Sequence, residues 1–374
     1  MIDNSGNRIR SRRKWKKIRK REMLEILAEN EYGFIPEVHV DVKSRIIEKC
    51  DTAMGGIATR KQIELTFRNQ EMERKVLLLM YIPNFRKGRA SVFLKYNFQG
   101  NHCTTYDPVV LPSRYSPFPV GNMVSRWPYK MILGAGYAVA TVHYYDIYPD
   151  NHDCFQESVM PLFGYNSESD VPDNGPGAIS CWAWGYSRIM DYLETDKDID
   201  PQKVIVSGLS RLGKAALWAG ANDARFSIVI STSAGCSGDA LARRNYGETV
   251  EIISDTFPYW FCRNYQKYAE NEVAMPFDQH FLLALIAPRP LYIVAAENDR
   301  WTDQKGQLLC AHAATPAWEL YGYTGIQQIE LPPLHHPIME RIGFHLRSGK
   351  HDVTSYDWYN ELVFTNKWLY GNRK

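Results

Sequence analysis

The chain has 374 residues, and an apolar share of 45% beside 23% charged residues is ordinary for a folded globular protein, which excludes disordered, collagen-like and coiled-coil classes. A formal net charge of +2 conceals a basic stretch, residues 8–21, that holds ten Lys and Arg and no acid, so the remainder of the chain is acidic. No apolar run reaches the roughly 18–20 residues of a membrane span, no signal-peptide core is visible, and seven singly spaced cysteines argue against a zinc ribbon or a dense disulfide framework.

Taken in chain order, the basic stretch reads as an N-terminal arm over residues 1–21, followed by one domain over 22–374. Such an arm is either a solvated helix start or a binder of nucleic acid or an acidic surface, and no zinc-finger or RNA-binding signature supports the second. EMLEILAENEYGFIP predicts a short amphipathic helix stopped by Gly33 and Pro36. Residues 60–82 alternate apolar and polar on both sides of a polar turn, which predicts an antiparallel hairpin. ASVFLKYNF (90–98) and GYAVATVHYY (136–145) are uniformly apolar, as expected of strands covered on both faces. Residues 99–130 and 146–177 are long loops, a length that marks function in a compact domain. The segment 177–196 has helical spacing, and KVIVSG, FSIVIST, PLYIVAA and IQQIELP predict four further strands. Their alternation with helical segments implies an α/β fold with a mostly parallel central sheet and helices on both faces. SYDWYNELVFTNKWLY closes the chain as an amphipathic helix.

Ligands of such sheets sit beyond the carboxyl ends of the strands. There, KVIVSGLSRLGKAALWAGA carries a β-branched run into Gly208, Leu209, Ser210 and Arg211 and then directly into a helix. This is the layout of a nucleophile elbow, in which a serine hydroxyl is exposed on a sharp turn; the alternative is a helix N-cap. A serine is a weak nucleophile without a base, and the base needs an acid to fix its tautomer. In α/β-hydrolases these follow in the order Ser, acid, His. Glu297, Asp299 and Asp303 stand after PLYIVAA, and His335, His336, His345 and His351 follow IQQIELP. His351 has the best placed address, just before the closing helix. Arg211 offers a backbone N–H and a guanidinium to a developing oxyanion, or else forms a surface ion pair. Lys214 lies one helical turn after Ser210 and is either a cation aimed at substrate or an exposed helix lysine. Trp301 either packs or stacks on a sugar.

GLSRLGKAALWAGA resembles the G-C-S-R-x-G-K motif of the glucuronoyl esterases, carbohydrate esterase family fifteen. The similarity continues through ARRNYGETVE, FPYWFC, MPFDQHFLLALIAPRPLYI, ENDRWTDQKG and GFHLRSGKHDVTSYDW, and covers most of the chain from about residue 30. The resemblance implies an α/β-hydrolase three-layer sandwich and a serine esterase for glucuronoyl esters, such as links between 4-O-methylglucuronoxylan and lignin alcohols. It implies Ser210 as nucleophile, His351 as base and Arg211 as oxyanion donor, with Lys214, Glu248 and Trp301 at the uronic acid. It also implies no metal, no organic cofactor and a secreted or periplasmic setting; no nucleic-acid partner and no membrane span are expected, and the oligomeric state is left open, with a monomer expected. One position departs from the pattern: Ser233 stands where many members carry a catalytic glutamate, so the acid comes from elsewhere. Asp299 matches the alternative position, ahead of Glu297 and Asp303. Acetyl xylan or broad carboxylester hydrolysis is the competing activity, and sugar binding without turnover the competing class.

Overall fold

The computed structural model describes residues 1–371. The basic stretch enters a helical run that leads into α1 (Lys20–Leu27), and Trp15 and Leu27 within it are fully buried. Three long strands follow: β1 (Asp41–Ala53), β2 (Ala58–Asn69) and β3 (Met72–Pro83), joined as an antiparallel meander. Next come β4 (Ala90–Asn97), β5 (Ala138–His143), α2 (Ala178–Thr195), β6 (Ile199–Leu209), α3 (Arg211–Asn222) and β7 (Phe226–Thr232). The chain closes through β8 (Leu291–Ala296), α4 (Gln304–Ala314), β9 (Ile338–Met339), β10 (Ile342–Arg347) and α5 (Ser355–Tyr370).

These strands form one ten-stranded sheet in the order β1-β2-β3-β5-β4-β6-β7-β8-β10-β9. The run from β5 to β10 is parallel, and β3 and β9 join it antiparallel on either side. Every residue of β4, β5 and β8 is buried, as uniformly apolar strands between two helical layers must be. One face, with Val92, Leu94, Val204 and Val206, packs against α2 and α3; the other, with Phe93, Ile205, Ile230 and Tyr292, packs against Trp358, Leu362 and Phe364 of α5. The result is the expected three-layer sandwich.

The structure removes one predicted strand and adds β1, β9 and β10. IQQIELP (326–332) is not a strand: Ile329 is exposed, Pro332 and Pro333 donate nothing to a ladder, and the exposed pair Gln327 and Gln328 breaks the alternation that a half-buried strand needs. The strand after β8 is instead β10, which begins at Ile342, pairs with β8 over its whole length and is buried throughout. β1 carries no clear alternation, because it is an edge strand whose side chains mostly face water, with register shifts between Ile46 and Glu48 and between Cys50 and Ala53.

Candidate active site

The turn between β6 and α3 is a single residue. Ser210 has φ 59° and ψ −129°, a conformation that costs a non-glycine residue about 1–3 kcal/mol. Its neighbours make the turn possible, because a Cβ on Gly208 would lie 1.9 Å from the Leu212 carbonyl oxygen. Gly213, one place later than the usual second glycine, packs against the same corner: a Cβ there would sit 3.1 Å from the Gly208 carbonyl oxygen. The Ser210 N–H donates to the Thr232 carbonyl at 2.8 Å, and its carbonyl accepts from the N–H groups of Gly213 and Lys214 at 2.8 and 3.1 Å. The backbone is thereby fixed, yet the side chain makes no capping hydrogen bond to α3. The N-cap reading therefore fails, and a partly exposed hydroxyl remains at the start of a helix.

Backbone hydrogen bonds continue past the strand ends and stitch the neighbouring loops together. Ser233 donates to Val294, Glu297 to Arg347 and Asn298 to Gly349, at 2.8, 2.8 and 2.9 Å. The loops after β6, β7, β8 and β10 thus form one rim at the carboxyl edge of the sheet. On it, His351 Nδ1 lies 2.7 Å from Asp299 Oδ2. The carboxylate accepts the Nδ1 proton, which leaves Nε2 as the basic nitrogen. Asp299 is buried, and burial pushes its carboxyl up; the hydrogen bond and charge of His351, with Ser233 and Thr302, more than offset this and hold it below the ordinary carboxylate range. Ser233 stands at φ 48° with its hydroxyl buried beside the Asp299 carboxylate, short of full hydrogen-bond geometry with any group among the described residues.

The two other acids are elsewhere. Glu297 is exposed, and Asp303 caps α4 through the Gly306 N–H at 3.0 Å while pairing with Arg244 at 2.7 Å. His345 is buried between the Tyr292 hydroxyl and Asp357, each at 2.8 Å, which makes it a core residue. Sequence reasoning missed the clamp on the His351 loop. Arg347, 2% exposed, donates to the carbonyls of Ser348, Lys350 and Asp352 at 3.0, 3.2 and 2.6 Å, and to the Asp357 carboxylate at 2.8 Å. Asp357 also accepts the Thr354 N–H at the start of α5, so the loop is anchored at both ends. The only sequence signal was a lone arginine four residues before His351.

The Arg211 guanidinium pairs with Asp150, whose side chain is 2% exposed, so this is not a surface ion pair. Burial disfavours the guanidinium charge, and Asp150 outweighs that cost and raises the pKa. Lys214 is not an exposed helix lysine. It is 2% exposed, and its Nζ donates to the Ala234 carbonyl at 2.6 Å and to Glu248 Oε2 at 2.8 Å. Glu248 in turn donates its N–H to the Trp301 carbonyl at 2.8 Å, and Gly247, at φ 72°, permits the approach because a Cβ would meet that same carbonyl at 2.4 Å. Trp301 is 49% exposed, which excludes plain core packing. Among the described residues no group of three or more His, Cys, Asp or Glu is placed to hold a metal ion, and no helix is long and apolar enough to cross a membrane.

Comparison with known proteins gives the family. A family profile described as glucuronyl esterase of fungi matches residues 95–322. The chain is 37% identical to a protein named Carbohydrate esterase MZ0003 from an unknown prokaryotic organism, across 99% of this chain and 88% of that one. It is 31% identical to the 4-O-methyl-glucuronoyl methylesterase of Podospora anserina, across 56% of this chain and 45% of that enzyme. Among solved structures, a glucuronoyl esterase from Solibacter usitatus matches with a TM-score of 0.92 at 40% identity, over 98% of this chain and 96% of that one. A structure described as a promiscuous CE15 esterase from a marine bacterial metagenome matches with a TM-score of 0.90 at 36% identity, over 98% and 95%. A serine elbow, a paired histidine and carboxylate, and sequence likeness over nearly the whole length all point one way: the chain belongs to the glucuronoyl esterase family, carbohydrate esterase family 15, and has its α/β-hydrolase fold.

Proposed function

We propose that the protein hydrolyses glucuronoyl esters, including 4-O-methylglucuronoyl links between glucuronoxylan and lignin alcohols, through an acyl-enzyme on Ser210. The observation that carries this reading is the 2.7 Å contact between His351 and Asp299 on the rim that also bears a strained, uncapped serine. In the first step the Ser210 oxygen attacks the uronoyl carbonyl carbon while His351 Nε2 takes the hydroxyl proton. The tetrahedral oxyanion receives hydrogen bonds from the Arg211 N–H, free as a first-turn helix amide, and from its guanidinium. Collapse breaks the bond to the alcohol, which leaves with the proton from His351. Water, deprotonated by His351, then attacks the acyl-enzyme and releases the uronic acid. One oxyanion donor of this kind is worth about 3–4 kcal/mol of barrier.

Lys214 and Glu248 provide a fixed cation and acceptor for the hydroxyls of the acyl sugar, and Trp301 a half-exposed ring on which it stacks. The pairing of His351 with the buried Asp299 supports turnover over sugar binding alone. A broad carboxylesterase activity is the second reading, favoured by the 36% identity to the marine enzyme described as promiscuous. A polymeric substrate implies action outside the cytoplasm, secreted or periplasmic. We take residues 22–374 as a single esterase domain, with the basic stretch 1–21 as its appendage. The test is a panel of methyl glucuronate, acetylated xylan and nitrophenyl acetate with wild type and Ser210→Ala. Preferred turnover of the glucuronate ester, lost in the variant, is expected. Turnover that survives Ser210→Ala, or that is confined to acetyl esters, would overturn the proposal.

A further inference from the structure

Asp150 lies in the long loop between β5 and α2, 61 residues before Arg211 in sequence, and nothing in the elbow motif points to it. Its carboxylate is among the most heavily engaged groups beside the site. Oδ1 accepts from the Tyr259 hydroxyl and the Trp260 indole N–H, both at 2.8 Å; Oδ2 accepts from the Tyr144 hydroxyl at 2.9 Å and from Arg211. Three neutral donors from two separate segments therefore fix the carboxylate independently of the arginine. The guanidinium is held a second way, with its carbon 4.6 Å from the Trp260 ring centre and 5.0 Å from that of Phe257. Those two rings are themselves stacked at 3.8 Å and 2°. Trp260 thus serves twice, its edge holding Asp150 and its face holding Arg211.

This grip uses Nη1 of Arg211. Its Nε–H is buried and has no partner among the described residues, a costly state for a donor unless an acceptor arrives there during the reaction cycle. A carboxylate so close to a guanidinium also works against it, because it neutralises part of the positive charge offered to an oxyanion. Charge and orientation therefore make opposite predictions for the loss of Asp150, which makes the question decidable. Resting on the esterase reading above, we propose that Asp150 is a positioning residue: clamped by Tyr144, Tyr259 and Trp260, it sets the orientation of Arg211 for transition-state charge, and orientation outweighs the partial neutralisation.

The experiment is a double-mutant cycle of Asp150→Asn and Arg211→Ala, with kcat and KM measured on a methyl glucuronate ester. Asp150→Asn preserves shape and removes charge. A fall in kcat of about ten- to hundredfold with KM changed by less than about threefold is expected, and in the Arg211→Ala background the same change should have almost no further effect. An unchanged or raised kcat, or an equal loss in both backgrounds, would overturn the proposal, since a merely structural aspartate acts whether or not Arg211 is present. If Asp150→Asn does not fold, Tyr259→Phe, which removes one of the three neutral donors, should give a smaller loss with the same dependence on Arg211, and additive behaviour there counts against the proposal. Wild type that fails on methyl glucuronate yet cleaves nitrophenyl acetate counts against the substrate reading alone; the cycle is then run on the acetate, whose oxyanion occupies the same place.

Discussion

Asp299 and His351 meet at 2.7 Å across two loops that leave neighbouring parallel strands, β8 and β10. The carboxylate that orients the imidazole is therefore supplied three residues after β8. Asp299→Asn should lower kcat by about ten-thousandfold, the loss seen when a comparable triad loses its acid. Ser233→Ala should change it by less than about threefold, because a neutral hydroxyl beside Asp299 adds little to the charge that the carboxylate offers the imidazolium. Steady-state kinetics on a glucuronate ester would decide, and equal, mild effects of the two substitutions would refute the assignment.

The elbow stores strain at Ser210 that an inactive enzyme no longer needs. Ser210→Gly and Ser210→Ala should both abolish turnover, but the glycine variant should be the more stable by about 1 kcal/mol because only glycine accepts φ 59° without penalty. Comparing denaturant midpoints of the two variants tests this. A Gly208→Ala chain, with its Cβ driven to 1.9 Å from the Leu212 oxygen, should not reach the native state.

Lys214 and Glu248 form a buried ion pair, so removing one partner strands the other. Lys214→Met should destabilise the fold by about 3–5 kcal/mol, and adding Glu248→Leu should recover much of that loss. Chemical denaturation reports the stability, and a rise in KM for the uronate ester in both variants reports the sugar contact. If Lys214→Met is as stable as wild type, the pair is not desolvated as described.

Arg347 holds three carbonyls around His351 and one carboxylate below it. A lysine keeps the charge but not the planar fork. Arg347→Lys should therefore reduce kcat on the order of tenfold with little change in KM, since a misplaced base slows proton transfer without touching substrate binding. An unaltered kcat would show that the loop holds its course without the fork.

His143, the last residue of β5, supplies a pH dependence of its own. Its Nδ1 lies 2.8 Å from the Ser113 hydroxyl and its Nε2 3.1 Å from the Phe98 carbonyl, which pins the long loop after β4 to β5. Burial lowers its pKa to about 4; the Phe98 carbonyl opposes this and the neighbouring His102 adds to it. The unfolded chain, titrating near 6.5, binds the proton first. Stability should thus fall as pH drops from about 6.5 to 4, by roughly 3 kcal/mol if no other group intervenes. His143→Gln should flatten that slope in denaturation curves measured at pH 6.5, 5.5 and 4.5.

Features set by neighbouring residues were legible in the sequence, and those set by distant partners were not. The elbow could be read because Gly208, Ser210 and the alanine-rich start of α3 are contiguous, and the central strands because two-sided burial demands uninterrupted apolar runs. IQQIELP imitated a strand through its apolar residues alone, while the true strand, β10, went unassigned. Spacing left Glu297, Asp299 and Asp303 open as acids, since reach to His351 is a property of the folded rim. Asp150 and Arg347 carried no local mark at all: their roles exist only once separate segments are packed together.

The outer border of β1 has a bearing on how the molecule behaves in company. A sheet ten strands wide that ended in a smooth apolar ribbon would recruit further chains by backbone pairing. Here Lys43, Arg45 and Lys49 project from that border and two register breaks spoil its regular spacing. An incoming strand would have to strip water from those charges and match a broken ladder, so crowded solutions of the protein should stay clear rather than form fibres.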